Sequence, residues 1–254
     1  MKTGKVDLLT IQQYDSRAAM GSAAASAVVR ELQSLQQKQE TVNIVFAAAP
    51  SQNEFLEALV HTPGIDWTRI NAFHMDEYIG LPDDAPQRFG NFLKERIFGK
   101  LPFRSVNYLN GNAADVRQEC ERYTQLLRQH PVDIVCMGIG ENCHIAFNDP
   151  HVADFNDPAW VKVVDLDEAC RQQQVNDGCF PMIRSVPTHA LTLTIPALMA
   201  ATFIFCVVPG ANKATAVRHT LTAAVHAMYP STVLRTHGNA VLFVDGDSAS
   251  EVQL

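Results

Sequence analysis

The chain has 254 residues, of which 47% are hydrophobic and 19% are charged, and its formal net charge is −7 at neutral pH. This composition is that of a globular protein and excludes a disordered polar chain. The acidic balance argues against nucleic acid or an anionic membrane as the main partner, although a few local cations could still bind a small anion. We therefore expect a small-molecule partner, no nucleic acid and no membrane.

The sequence shows neither a membrane anchor nor an export signal. The longest apolar run, at 195–209, is interrupted by Pro196 and is shorter than the roughly 20 residues that a membrane span needs. The first residues lack the apolar stretch of a signal peptide. The six cysteines form no C-x-x-C pair. We therefore expect reduced thiols, a cytoplasmic protein and no metal site.

Short runs rich in β-branched residues alternate with helical patterns. Predicted strands cover residues 6–11, 42–48, 69–75, 132–137, 161–166, 190–195, 202–208 and 239–244. Predicted helices cover residues 15–37, 52–60, 87–98, 115–129, 167–174 and 212–223. This alternation is typical of parallel strands joined by right-handed crossovers. The sequence therefore predicts an α/β fold with a doubly wound, mostly parallel sheet and helices on both faces, a Rossmann-like three-layer arrangement in one domain over residues 1–254.

Ligands of such folds bind beyond the carboxyl ends of the strands. An acidic pair, Asp76 and Glu77, stands there after the third predicted strand. A carboxylate at this place could act as a general base if partial burial tunes its pKa. Asp76 could equally cap a following turn, and both interpretations stay open.

The segment 138–150, with the sequence GIGENCHIAFNDP, follows the fourth predicted strand. Gly140 helps to make a tight turn whose amides can face a ligand. His144 lies in a polar loop, with Asn142 before it and Asp149 after it. An amide and a carboxylate can hold an imidazole in one tautomer, so that it transfers a proton. A structural imidazole is the alternative.

Three segments carry groups that suit an anionic ligand. Arg171, near the start of a predicted helix, could bind phosphate with two N–H groups, or could be a solvated charge. Lys213 stands in the first turn of a helix, where it would add a cation to free amides, or could lie on the surface. Ala49, Ser51 and Gln52 begin another helix, at which Ser51 could bind phosphate or simply cap the helix.

In this order, the segments resemble the glucosamine-6-phosphate deaminase family, also called glucosamine-6-phosphate isomerase, which shares its fold with 6-phosphogluconolactonase. The matching segments are MDEYIGL at 75–81, LNGNA at 109–113 and GIGENCHIAFNDP at 138–150. The first and third are specific to the deaminase branch. The resemblance implies conversion of glucosamine 6-phosphate to fructose 6-phosphate and ammonia, with no cofactor.

The resemblance also implies roles for individual residues. Asp76 corresponds to the base that moves a proton between C2 and C1 of the sugar, and His144 to the acid/base that opens the ring. Asp149 stands where the family has the carboxylate partner of that histidine, and Arg171 and Lys213 stand where it clamps phosphate. The predicted site also includes Asn142 as a catalytic residue. Its predicted contacts to the substrate or phosphate are Ala49, Ser51, Gln52, Glu77 and Gly140.

Departures from the family pattern keep three hypotheses open. The family has Asp at the position of Asn142, Gly at Cys143 and Glu at Asp149, and Pro50 removes an amide from the phosphate loop. The substrate could therefore be a related amino-sugar phosphate, such as galactosamine 6-phosphate. Alternatives are a sugar-phosphate-binding regulator that has lost catalysis and a hydrolase of the 6-phosphogluconolactonase type. The sequence leaves the oligomeric state open, a homo-oligomer included.

Overall fold

Two sheets organise the computed structural model, which describes residues 1–253. In chain order the strands are β1 (Lys2–Val6), β2 (Leu9–Gln13), β3 (Val42–Phe46), β4 (Ile70–His74), β5 (Asp76–Tyr78), β6 (Ser105–Asn107), β7 (Ile134–Met137), β8 (Val161–Asp165), β9 (His189–Leu193), β10 (Phe203–Val208) and β11 (Ala240–Val244). Eight of them form the main sheet, in the order β1-β2-β11-β10-β7-β3-β4-β6. Every neighbouring pair in it is parallel except the β1–β2 hairpin.

Helices cover both faces of the main sheet. They are α1 (Arg17–Gln36), α2 (Asn53–His61), α3 (Phe89–Leu93), α4 (Val116–Gln129), α5 (Glu168–Asn176), α6 (Ile195–Met199) and α7 (Ala214–Thr222). Residues of α1, α2 and α3 pack in the hydrophobic cluster on one face, and residues of α4, α6 and α7 pack in the cluster on the other. The predicted fold class is confirmed.

The alternation of side chains along the central strands explains why both faces are covered. On β3, Ile44 and Phe46 belong to the cluster of α1 and α2, whereas Val45 belongs to the cluster of α4 and α7. All three side chains are fully buried. An uninterrupted apolar strand is stable in water only when helices cover its two sides.

A second, three-stranded sheet stands beside the carboxyl edge of the main sheet. Its strand order is β5-β9-β8, and both of its pairs are antiparallel. Only Met75 separates the end of β4 from the start of β5. The chain therefore passes directly from the main sheet into the small one, and Asp76 is the first residue after that passage.

The structure corrects several predicted elements. Residues 6–11, predicted as one strand, contain the turn of the β1–β2 hairpin, where Asp7 has a φ of 50°. The predicted strands at 161–166 and 190–195 pair antiparallel in the small sheet, because β9 is hydrogen-bonded between β5 and β8. The helix predicted at 87–98 is α3 followed by a π-helical turn, Lys94–Phe98. Strands β5 and β6 were not predicted.

Among residues 1–253, no helix combines the length and the hydropathy that a membrane crossing requires.

Candidate active site

A cavity lies beyond the carboxyl ends of β3, β4, β7 and β10, where the fold leads us to expect a ligand. The loops that follow these strands supply most of its wall, and α5 closes one side. Met75, Phe89, Ile139 and Phe147 are among its apolar wall residues. Its polar side chains belong to Ser51, Gln52, Asp76, His144, Gln173, Gln174 and Lys213.

Asp76 offers a buried carboxylate to this cavity. Only 7% of the residue is exposed, and within residues 1–253 its carboxylate oxygens make no hydrogen bond or ion pair. Burial, followed by repulsion from Glu77, raises the pKa of Asp76 well above its usual range. A carboxylate with these properties is a stronger base than an exposed one, as a general base for a carbon acid requires.

His74 holds the backbone beside Asp76. It is fully buried, its Nε2 accepts a hydrogen bond from the amide of Leu109 at 3.0 Å, and its Nδ1 therefore donates to the carbonyl of Asp76 at 2.9 Å. Burial lowers the pKa of His74 to about 4, so the ring is neutral at physiological pH. This neutral histidine fixes the strand end and leaves proton transfer to the groups in the cavity.

His144 faces the cavity with its inner nitrogen engaged. Its Nδ1 lies 2.7 Å from Oδ1 of Asn142 and 3.1 Å from a carboxylate oxygen of Asp149. Within the described residues, Nε2 has no protein partner and is the nitrogen available to a ligand. Asn142 and Asp149 therefore stand behind the imidazole and do not line the cavity themselves. This is the arrangement of a histidine whose outer nitrogen exchanges a proton.

Asp149 is fully buried, and two effects on its pKa oppose each other. Burial would raise the pKa, but hydrogen bonding and attraction from His144, together with hydrogen bonds from Asn142 and the amide of Asp167, lower it below the usual range. The carboxylate is therefore ionised at neutral pH and favours a protonated neighbour. Although an aspartate is one methylene shorter than a glutamate, the carboxylate oxygen of Asp149 reaches the imidazole.

The His144 ring packs directly against the backbone of Gly140. A Cβ at this position would stand 2.1 Å from Cε1 of the ring and 2.4 Å from Nε2. The backbone also closes on itself here, because the amide of Gly140 donates to the carbonyl of His144 at 2.9 Å. A side chain at this position would displace the imidazole, so the requirement for glycine is steric.

Two residues beside His144 adopt the left-handed region that L-residues rarely occupy. The φ of Cys143 is 70° and that of Ala146 is 48°. The Cys143 carbonyl accepts from the amide of Ser231 at 2.9 Å, and its buried thiol packs near the Ala216 carbonyl. Such strain persists only where surrounding contacts hold it, and it is concentrated at functional sites. Burial raises the pKa of the Cys143 thiol to about 11, which opposes reactivity as a thiolate.

One cationic side chain in the cavity wall suits an anion. Lys213 is 4% exposed, ends the 3₁₀ turn Ala211–Lys213 and precedes α7; among the described residues its amine makes no hydrogen bond or ion pair. Burial lowers its pKa, against weaker opposing effects of Asp177 and Glu141. A buried amine facing a cavity without an anionic partner is suited to a phosphate.

The loop after β3 contributes polar groups to the same cavity. Pro50–Gln52 forms a 3₁₀ turn that leads into α2, and Ala49 precedes it. The Gln52 amide nitrogen donates to the Val207 carbonyl at 3.1 Å and to Ser51 Oγ at 3.2 Å. Oε1 of Gln52 is buried without a protein partner. This oxygen can accept from a ligand, since a buried acceptor without a donor is otherwise unfavourable.

Two predicted binding residues do not reach the cavity. Glu77 is adjacent to Asp76 on a strand and points to the other side, as strand neighbours do. Its carboxylate accepts from the amides of Tyr78, Phe89 and Gly90 at 2.9–3.0 Å. Instead of contacting a ligand, Glu77 holds the start of α3.

Arg171 is likewise directed away from the cavity. Its guanidinium donates to the carbonyls of Ile183 and Val186, at 2.8 and 3.1 Å. It lies a full turn inside α5, which begins after the N-cap Asp167, and the guanidinium is not part of the cavity wall. The structure therefore does not bring the predicted arginine clamp to the site, and Lys213 is the cation that lines it.

Comparison with known proteins shows the family to which the chain belongs. The family model for glucosamine-6-phosphate isomerases/6-phosphogluconolactonase matches residues 15–243. The chain belongs to this family. A glucosamine-6-phosphate deaminase of Bacillus thuringiensis (strain Al Hakam) is 38% identical over 186 residues, which cover 73% of this chain and 69% of that protein. A deaminase of the same name from Bacillus anthracis (strain A0248) has the same identity and coverage.

Solved structures of the family have the same fold. A monomeric glucosamine-6-phosphate deaminase superposes with a TM-score of 0.86 at 28% identity, covering 95% of this chain and 99% of that one. The 6-phosphogluconolactonase of Thermotoga maritima superposes with a TM-score of 0.76 at 19% identity, covering 93% of this chain and 99% of that one. The second likeness concerns the fold alone.

The family resemblance did not reveal every residue of the cavity. Gln173 and Gln174 of α5 line it, and both are buried. Phe89 and Phe147 stack against each other with ring centroids 5.5 Å apart and form an apolar wall. In the sequence these glutamines are part of a polar run, and the phenylalanines look like ordinary core residues. No local signal distinguishes them, since their function comes from where α3 and α5 are placed.

Proposed function

We propose that this protein is a hexosamine-6-phosphate deaminase, which converts glucosamine 6-phosphate or a close epimer to the ketose 6-phosphate and ammonia. The observation that carries the proposal is that Asp76, His144 and Lys213 line the same cavity. A buried carboxylate, a polarised imidazole and a buried amine are what proton transfer on a sugar phosphate needs. The identity with named deaminases over most of the chain supports the same reaction.

In the first step proposed, His144 opens the sugar ring. Its outer nitrogen takes the proton of the C1 hydroxyl and then gives a proton to the ring oxygen, so that the C1–O ring bond breaks and a free aldehyde forms. The Asp149 carboxylate behind the ring stabilises the protonated imidazole. Lys213 and the nearby helix starts hold the phosphate.

In the second step, Asp76 moves a proton from C2 to C1. Its carboxylate takes the C2 proton, the electrons of that bond form the C1=C2 double bond, and the aldehyde oxygen takes a proton from the substrate ammonium, which gives a neutral enolamine. The proton held by Asp76 then returns at C1 and leaves an iminium at C2. Water then adds to C2 and ammonia departs, which gives the ketose and balances the reaction. The raised pKa of Asp76 favours the first transfer, because a stronger base is needed for a carbon acid.

The test is ammonia release by the purified protein from glucosamine 6-phosphate and galactosamine 6-phosphate, measured side by side with ketose formation. We expect release from one of them at least, and the preferred sugar identifies the C4 configuration. A 6-phosphogluconolactone assay distinguishes the hydrolase alternative. Thermal stabilisation by the amino sugars without any turnover would instead establish a binding protein.

A further inference from the structure

Asn142 lies between two carboxylates. Its amide nitrogen donates to Asp149 Oδ1 and to Asp167 Oδ2, each at 3.0 Å. Its Oδ1 accepts from the amide of His144 at 3.1 Å and lies 2.7 Å from the ring Nδ1. The orientation of the amide is thereby fixed, since an ionised carboxylate can only accept and a backbone N–H can only donate.

This geometry suits an amide and not a carboxylate at position 142. An aspartate at 142 would place one of its oxygens against those of both Asp149 and Asp167, with no hydrogen between them. Like charges at that distance cannot all remain ionised. The NH2 group of Asn142 links the two carboxylates, whereas an aspartate would repel them.

Two carboxylates are thereby linked to the amide that contacts the His144 ring. Asp149 and Asp167 each accept from Asn142 Nδ2, and Asn142 Oδ1 lies 2.7 Å from the ring Nδ1. We propose that Asp167 is a positioning residue that supplies, through Asn142, the second negative charge behind the catalytic imidazole. The catalytic part of this proposal rests on the proposed deaminase function. Its electrostatic part does not.

Other groups around Asp167 do not supply this charge. The Cys170 thiol packs here, and burial keeps it protonated by raising its pKa well above the usual range. His151 lies near both carboxylates but is half exposed and binds Asp165 at 3.0 Å. Asp167 itself also caps α5, because its Oδ1 accepts from the amide of Cys170 at 2.6 Å. Any test must keep this cap.

Replacement of Asp167 by Ser satisfies that condition, because Ser also caps helices while it removes the charge. We expect Asp167→Ser to lower kcat on the order of tenfold with little change in KM, since proton transfer is affected and phosphate binding is not. The matched control is Glu168→Gln, which removes an exposed carboxylate at the neighbouring position. It should leave both constants unchanged.

A readout that is independent of turnover separates the two proposals. In the free protein, NMR of the His144 ring against pH should show the neutral ring favoured in Asp167→Ser relative to the wild type, because removal of a negative charge disfavours the imidazolium. The control Glu168→Gln should leave the His144 signal unchanged at every pH. If the wild type releases no ammonia, the deaminase proposal fails while this titration still decides the role of Asp167.

A double-mutant cycle tests the linkage through Asn142. Asn142→Asp alone should lower Tm by about 4 °C, because it brings a third carboxylate against two others. The same change in the Asp167→Ser background should cost little and should move the His144 titration back upward, since the charge has only changed position. Equal destabilisation in both backgrounds, or an unchanged His144 titration in Asp167→Ser, would overturn the inference.

Discussion

At the scale of single residues, the cavity contains two charged groups that have no partner within residues 1–253. Asp76 and Lys213 are both buried. Burial raises the pKa of Asp76 and lowers the pKa of Lys213, so it favours the neutral form of each. An unpaired buried charge opposes folding, so these residues are retained at a cost in stability. A phosphorylated substrate with an acidic C–H bond would interact with both.

Asp76→Asn should abolish turnover and stabilise the protein. The folded-state pKa lies above the unfolded one, so above the unfolded pKa the ionised carboxylate costs folding free energy that grows as pH rises. Removing it should therefore increase the free energy of unfolding at pH 7 by about 1 kcal/mol. Ammonia release should fall at least about 100-fold. A variant that melts lower, or that keeps its activity, would contradict the assignment of Asp76 as the base.

The pH profile of the wild type follows from the same shift. Asp76 must be ionised to accept a proton, so kcat/KM should fall as the solution is acidified through a pKa above the usual aspartate range. The measurement is kcat/KM against pH, with the acid limb compared with that of an exposed carboxylate. A limb at the ordinary aspartate value would mean that burial does not control the base.

Lys213→Met should weaken substrate binding more than it slows the chemistry. We expect KM to rise on the order of 100-fold with kcat much less affected, because the lost contact is to the phosphate in ground and transition states alike. Lys100→Met, at an exposed position, is the matched control. If KM stays the same, the phosphate lies elsewhere in the cavity.

At the scale of elements, Glu77 connects the small sheet to α3. Its carboxylate accepts three backbone N–H groups, two of them at the start of α3. Burial raises its pKa, and these hydrogen bonds oppose the rise. Through α3, this carboxylate positions Phe89 on the cavity wall.

Glu77→Gln should therefore be costly although the two side chains have the same shape. The new amide nitrogen would replace one accepting oxygen and face an N–H donor, which should lower the free energy of unfolding by about 2 kcal/mol. Thermal melting beside the exposed control Glu95→Gln measures this. Equal melting temperatures would show that the start of α3 is held by other contacts.

Some helices and strands could be predicted from the sequence, whereas their pairing and orientation could not. The apolar runs of β3, β7 and β10 identify buried strands because their pattern is set by burial on both faces. Whether a strand belongs to a parallel or an antiparallel sheet depends on partners far along the chain, so β8 and β9 could not be assigned. Likewise, a helical pattern places Arg171 in α5 but does not say which side of the helix faces the cavity.

At the scale of the whole molecule, the site is a product of sheet topology. Loops from four strands and a side of α5 meet only because the central strands are adjacent in the sheet. The His144 segment was predictable because its chemistry is local in sequence. The roles of Asp167 and Gln174 were not, since they arise from the docking of α5 against that segment.

The same topology should set the order of local opening. Amides of β3, β7 and β10 lie between two strands and under helices on both faces, whereas β1 is an edge strand with largely exposed residues. Hydrogen exchange followed by mass spectrometry should therefore find β1 exchanging first and the three central strands last. Uniform exchange across the sheet would indicate that it opens only as a unit.

The β1–β2 hairpin has a consequence for synthesis. Within the main sheet, β2 is bonded to β1 and β11, and β11 follows almost the whole chain later. Leu9 and Ile11 are fully buried in the folded protein. On the nascent chain their side chains stay exposed to solvent until the segment between β2 and β11 has been translated. Closing so long a loop is slow, and an apolar hairpin without its neighbour invites association with other chains. A nascent chain of this protein is thus most in need of a chaperone at the β1–β2 hairpin, because its partner β11 is the last strand of the main sheet to be translated.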